Sequence, residues 1–340
     1  MKILYLLFSL TIGLSMSHAQ DAKFKIANKF HLEGDAGWDY LYSDDLTGNL
    51  YVSHGTMVQV MDQAKGVLVG TISGMKGVHG IALVSNFNKG YISSGKDSMV
   101  TVFDSKNFNV ITKITVGIKP DAIMFDPFSQ KVFAFNAGSN NVSVIDPTSD
   151  HIIATIQLES NPEFAVSDNN GKVFVNLEDN SKLAVINSRT LKVESNWSLS
   201  PGEGPSGLAL DNENHRLFSV CSNKLMIVLD AISGKIITTV PIGEHVDGAG
   251  FDPTNKHIYA SCGEGKLTVI QQKNANNYTV LENVPTMQGA KTIAANIKTH
   301  HVFLSTAEFL PAQTATAENP KPKALVKPNT FVILDIVAKN

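Results

Sequence analysis

Asn141-Val-Ser-Val-Ile-Asp146 is one of seven related phrases, and their spacing decides the fold. The others are Val58-Gln-Val-Met-Asp62, Val100-Thr-Val-Phe-Asp104, Leu183-Ala-Val-Ile-Asn187, Met226-Ile-Val-Leu-Asp230, Leu267-Thr-Val-Ile-Gln271 and Phe331-Val-Ile-Leu-Asp335. Each alternates hydrophobic residues and ends on an acid or amide. Subtracting consecutive end positions gives intervals of 42, 42, 41, 43, 41 and 64 residues. A period of this size, with period-two alternation between turn residues, marks the blade of a β-propeller. The chain reads as an all-β, seven-bladed propeller.

Around the phrase, the third repeat shows how one blade is built. Asp121 to Asp126 is an apolar run ending at the turn Pro127-Phe-Ser-Gln130, and Lys131 to Phe135 follows. After the phrase itself, a turn at Pro147-Thr-Ser-Asp150 leads into Ile152 to Leu158. Four short strands separated by Gly, Pro, Asn and Asp make an antiparallel meander. The seventh repeat stops after its third strand. Phe24 to Leu32 matches the outer-strand pattern of Ile152 to Leu158, so the N-terminal strand is expected to close blade seven and remove an open sheet edge. The long interval comes from residues 306–330, which hold four of the thirteen prolines. That stretch is expected to be an extended insertion between the second and third strands of blade seven. It falls on the face where the inner strands begin and is expected to act as an adjustable flap there.

Residues 1–19 read as a secretory signal peptide. Met1-Lys2 is basic, Ile3 to Leu14 is nearly all apolar, and Ser17-His18-Ala19 precedes the expected cut at Gln20. The mature chain, 20–340, is expected to be one domain, monomeric, exported and periplasmic, without a membrane span. Its 28 basic and 31 acidic residues nearly balance, and only Arg189 and Arg216 are arginine. Nucleic-acid binders present a basic stripe and bidentate arginines, so no nucleic acid is expected. Cys221 and Cys262 fall at equivalent places on neighbouring blades, where sheets about 10 Å apart disfavour a bridge; they are expected to be buried free thiols.

Candidate chemistry lies at the starts of the inner strands. Aligning the repeats superposes Asp39, His79, Asp121, Glu163, Ser206, Asp247 and Ala290, the last followed by Lys291. These should ring the upper mouth of the channel. Carboxylates and an imidazole converging from several strands suit a cation or acid–base work. The opposing reading is architectural, because polar residues at strand starts also tie one blade to the next blade's backbone. Gathered like charges raise one another's pKa unless a cation sits among them, which points to Lys291 or a bound metal. A second ring is expected outside the first from His54, Ser94, Asn136, Leu177, Cys221, Cys262 and Thr306, with Asn176, Glu178 and Glu308 nearby. No nucleophile elbow, HExxH, CxxCH or P-loop occurs.

Several phrases carry a resemblance. They are Gly37-Trp-Asp39-Tyr-Leu, Tyr51-Val-Ser-His54-Gly-Thr, Gly77-Val-His79-Gly-Ile-Ala, Lys119-Pro-Asp121-Ala-Ile, Asn161-Pro-Glu163-Phe-Ala-Val and Ser305-Thr-Ala-Glu308-Phe, with Glu318-Asn-Pro-Lys-Pro beyond. The repeats resemble YVTN repeats, and the mature chain resembles the YncE-like exported seven-bladed propellers. That resemblance implies the fold and export but no agreed reaction. The expected role is binding a small ligand or partner protein at the upper mouth. The alternative is a metal-dependent, lactonase-like hydrolase or a lyase, with a divalent metal such as calcium on Asp39, His79, Asp121, Glu163 and Asp247.

Overall fold

The computed structural model describes residues 23–34, 37–311 and 324–339. The expected signal peptide and the middle of the insertion lie outside the described residues. Seven four-stranded antiparallel sheets form the blades. Blade three runs Pro120–Asp126, Lys131–Asn136, Asn141–Asp146 and His151–Gln157, in sequence order from the inside out. Blades one, two, four, five and six repeat that order.

The diagnostic phrase is the third strand, and its terminal acid or amide has a mechanical role. Asp62, Asp104, Asn187 and Asp230 each accept, on one side-chain oxygen, the backbone N–H groups two and three residues ahead. Asp146 accepts the Thr148 N–H at 2.9 Å in the same way. Such Asx turns stand in for backbone hydrogen bonds and reverse the chain into the outer strand. Asp335 meets no such turn. Its two oxygens instead hold Asn28 at 2.8 Å and His301 at 2.7 Å.

That contact belongs to the closure. Blade seven is ordered Phe24–His31, Val332–Ala338, His301–Thr306, Ile293–Asn296 from outside in, with Phe24 opposite Ala338 and His31 opposite Val332. The N-terminal strand thus completes the last sheet, as the repeat count requires. The insertion joins the second and third strands of this blade; its described ends pair through Phe309 and Val326, and Trp38 packs on Phe309 and Phe331. Apolar clusters fill the spaces between and within the blades, so burial is spread around the ring rather than gathered at one centre.

Blade seven also supplies a correction. Its inner strand begins only at Ile293, which pairs with Leu304. Leu304 corresponds to Val52, Ile92 and Ala134, the partners of Leu41, Ile81 and Ile123. Two residues before Ile293 is Lys291, so Lys291 itself holds the ring position that alignment assigned to Ala290. Ala290 is fully buried one residue earlier, after Gly289 turns the chain at φ +79. The irregular entry hides the register from a pattern-based alignment.

Candidate functional site

In blades one to six, the pairing of the inner strand shifts register right after its first residue, between Trp38 and Leu41, Val78 and Ile81, Pro120 and Ile123, Pro162 and Ala165, Pro205 and Leu208, and Val246 and Gly248. Every ring residue of these blades therefore sits in a β-bulge. A bulge leaves a residue unpaired and re-aims its side chain, and bulges recur beside working sites. The mouth side chains lie where the ladder has released them.

Blade-to-blade ties at this level come from other residues. The Ser53 hydroxyl donates to the carbonyl of His79, and the Ser93 hydroxyl to that of Asp121. Asn176 donates to the carbonyls of Ser206 at 2.8 Å and Gly207 at 3.1 Å, and Ser261 donates to that of Lys291. Each donor is in the second strand of the preceding blade. Phe135 and Val220 stand at the matching places in blades three and five, where no donor exists. Among the ring side chains, Ser206 does make a tie, donating to the Val246 carbonyl at 3.3 Å. The ring carboxylates do not rest on the neighbouring backbone.

Instead Asp39, Asp121, Glu163, Asp247 and Lys291 line a cavity of about 130 Å³ together with Ser206, Tyr40 and Phe164. Its floor is aromatic: Tyr40 and Phe164 stack with ring centres 5.7 Å apart and planes 19° from parallel. A second, more apolar cavity of about 280 Å³ shares Tyr40 and Phe164 and is otherwise lined by such residues as Ile81, Leu83 and Met124. The aromatic pair separates a polar mouth from an apolar lower space. Neither residue appeared among the sequence candidates, although a signal existed. The position following each ring residue reads Tyr40, Gly80, Ala122, Phe164, Gly207, Gly248 and Thr292, so two large aromatics interrupt a small-residue series. The small residues are needed, since a Cβ at Gly207 would lie 2.5 Å from the Ala249 nitrogen.

On one side of the mouth, His79 directs Nδ1 at Asp39, a short hydrogen bond, and lies 3.7 Å from Asp121 Oδ1. One ligating atom from each of these three residues falls within 4.8 Å of the others. Burial opposes a charged imidazole here, but the Asp39 hydrogen bond and the Asp121 charge outweigh it and raise the His79 pKa. Asp121 is 7% exposed; burial raises its pKa, with His79 pulling the other way. Burial, then the surrounding carboxylates, pushes the Tyr40 pKa up.

Across the mouth, burial and the charges of Asp121, Glu178 and Asp247 push Glu163 up to about 9. Glu163 shares a hydrogen bond with Glu178, which also takes one from Asn161 at 3.1 Å. Lys291 Nζ meets Asp247 Oδ2 at 2.8 Å. Burial raises Asp247 although Lys291 opposes it. Burial works against charge on Lys291, yet Asp247 holds its pKa above the ordinary lysine value.

Two other sequence candidates lie elsewhere. His54 is buried at 1% exposure, bonded to Gln59 Oε1 at 2.8 Å and tilted against the Phe331 ring with centres 4.1 Å apart. It locks blade one to blade seven and does not line the mouth cavity, because the end of the second strand points between blades. Glu308 pairs with Lys327 at 2.7 Å on the exposed base of the insertion. Cys221 and Cys262 are free and buried; burial pushes Cys221 up to about 12. Their thiols bond backbone carbonyls within their own strands, so the pair offers no soft-metal site.

No family model matches the chain, and no curated protein matches it. Among solved structures it is similar to a chain of the Kuenenia stuttgartiensis hydrazine synthase, with a TM-score of 0.72 over 81% of this chain and 94% of that one. At 15% identity this likeness shows the propeller fold and nothing of the reaction. Among the described residues no helix is long and apolar enough to cross a membrane.

Proposed function

We propose that the chain is an exported propeller of the YncE-like kind that binds a small polar molecule in the upper mouth of its ring. One observation carries the reading. The ring carboxylates Asp39, Asp121, Glu163 and Asp247 stand free of the blade-to-blade backbone ties, on bulges, around a shared cavity. Folding by itself gives no reason to collect Asp39, Asp121, Glu163 and Asp247 at one opening, since their repulsion costs stability.

The chemistry of the lining sets the ligand class. An engineered cavity of about 150 Å³ accommodates a benzene ring, so the mouth suits a molecule of similar bulk. Lys291 offers donors to an oxygen-bearing group, with the Glu163 carboxyl beside it in the lining. Asp39 and Asp121 offer acceptors on the other side, and the Tyr40–Phe164 floor offers an apolar face. A small molecule with acceptor oxygens at one end and donor groups at the other, such as an amino acid or amino alcohol, fits this division. Few polar groups on a partly apolar surface are how small-ligand sites achieve orientation.

Ligand-observed NMR on the mature chain, with a panel of small amino acids, hydroxy acids and polyols, tests the proposal. Binding by a panel member that falls at least tenfold in both Lys291→Met and Glu163→Gln supports it. A panel without binders, or binding unchanged in both variants, rejects it.

A further inference from the structure

We infer that Asp39, His79 and Asp121 form a site for one divalent transition-metal ion of the zinc, manganese or cobalt class, seated in the wall of the mouth with open coordination positions facing the cavity. The three residues start the inner strands of three successive blades. One ligating atom of each lies within 4.8 Å of the others, and among the described residues no other group of three His, Cys, Asp or Glu residues meets that condition.

The spacing is that of a ligand set. Nitrogen and carboxylate ligands stand about 2.1 Å from zinc, which at a tetrahedral angle separates two of them by roughly 3.4 Å. His79 Nδ1 and Asp121 Oδ1 are 3.7 Å apart. The Asp39 oxygen, now on the same nitrogen, would move off as the ion takes the proton's place. The aiming of Nδ1 between two carboxylates is itself informative. The same ring nitrogen bonds Asp39 and lies 3.7 Å from Asp121 Oδ1, so it stands near both acids.

The supporting groups are those a metal site needs. Ser53 and Ser93 hold the carbonyls of His79 and Asp121, so two of the three ligands come from strand positions pinned to the preceding blade. Tyr40 lines the cavity beside Asp121, where an outer partner of a metal ligand would stand. Gly80 permits the approach of the two strands that carry His79 and Asp121; a Cβ there would lie 2.9 Å from the Ile123 nitrogen. These contacts hold the ligands before any ion arrives.

The donor set selects the metal class. One imidazole nitrogen and two carboxylates suit zinc, manganese, iron or cobalt. Calcium takes six to eight oxygen ligands, which this wall does not supply, so the calcium expected from the wider ring is not the ion that fits. Three protein ligands with positions left open characterise sites where a further ligand binds the metal. Asp39 and Asp121 both border the cavity, so a carboxylate or carbonyl oxygen of a small molecule could complete the coordination, with Lys291 and Glu163 facing it. The ion site and the small-ligand reading stand or fall separately.

The test is titration of untagged, chelator-stripped mature chain with Zn2+, Mn2+ and Co2+ by calorimetry, with Ca2+ as comparison. The expected result is one ion per chain for Zn2+ or Co2+, undiminished by excess Ca2+, and a d–d absorption on Co2+ loading. His79→Gln and Asp121→Asn should each weaken Zn2+ binding at least tenfold. Asp247→Asn, across the mouth, should bind Zn2+ as the parent does. Circular dichroism and unfolding of the metal-free variants verify that each is folded. If none of the three ions binds stoichiometrically, the site does not exist. If binding persists in both His79→Gln and Asp121→Asn, or is lost equally in Asp247→Asn, the ion lies elsewhere and the assignment is overturned.

Discussion

Asp121 and Asp126 stand at opposite ends of one inner strand, both buried, and their carboxyl groups behave in opposite ways. At the lower end, burial opposes ionisation of Asp126, but hydrogen bonds from the Ser129 N–H and the Ser167 hydroxyl outweigh it and lower its pKa. Ser167 belongs to the next blade and donates at 2.5 Å. At the upper end, Asp121 is raised by burial with few donors to offset it. The same division recurs. Asp211, at a lower end, is lowered by Asn214 and by Gln272 of the neighbouring blade, although burial opposes this. Asp247, at an upper end, is raised. Repeating acids can be architecture or site, and the donors around them decide which. In this propeller the acids at the bottom accept hydrogen bonds from the next blade, whereas the carboxylates at the mouth face a shared cavity.

The sharpest way to break this contrast is to remove one acid from each end. Asp126→Ala strands both donors and is expected to cost about 3 kcal/mol, read by chemical or thermal unfolding of the metal-free protein. Asp121→Asn, in the same measurement, is expected to stay within about 0.5 kcal/mol of the parent or to gain. Equal losses would mean that both ends are architecture.

A smaller effect should appear in the pH dependence. Glu163 binds its proton up to about 9 when folded, against an ordinary value of 4.5. The folded chain therefore keeps a proton that the unfolded chain releases. That contribution is whole below 4.5 and is lost as pH rises through the folded value near 9. Glu163→Gln should flatten the decline in melting temperature between those limits. Asp126 has the opposite sign: its contribution holds above the ordinary carboxylate value and disappears as acid protonates it. A parent whose stability is flat from neutral to alkaline pH would remove Glu163 from the raised group.

Tyr40 connects the two sides of the mouth. Tyr40→Phe deletes a buried hydroxyl in the lining beside Asp121 while keeping the aromatic floor, and is expected to cost about 1 kcal/mol. An unchanged midpoint would show that the hydroxyl contributes no stability. The smallest effect belongs to Ser206, whose bond to the Val246 carbonyl is long at 3.3 Å. Ser206→Ala should change stability by less than about 0.5 kcal/mol.

The fold was legible because its signals are local and repeated. A third strand ending in Asp62, Asp104 or Asp146 carries both the period-two pattern and the turn that ends it, so counting phrases counts blades. The outer-strand pattern of Phe24 to Leu32 needed only the missing strand of blade seven to find its place. The types of residue at the mouth were also readable from Asp39, His79, Asp121, Glu163, Ser206 and Asp247, whose positions follow from the same register.

What escaped the sequence depends on chain segments far apart. Lys291 took the seventh ring position because Gly289 and a shortened strand offset the local pattern. His54 proved to be a buried strut, since its partner Phe331 arrives from the other end of the chain. The stacking of Tyr40 on Phe164 joins blades one and four across the channel, and no spacing along the chain encodes that meeting. The sequence by itself determined how many blades there are, what each strand faces and how the ring closes, because alternation and turn chemistry act over a few residues. Only the closed ring decided which carboxylates were satisfied, which were crowded and which side chains shared one cavity, because charge and packing act through space between blades.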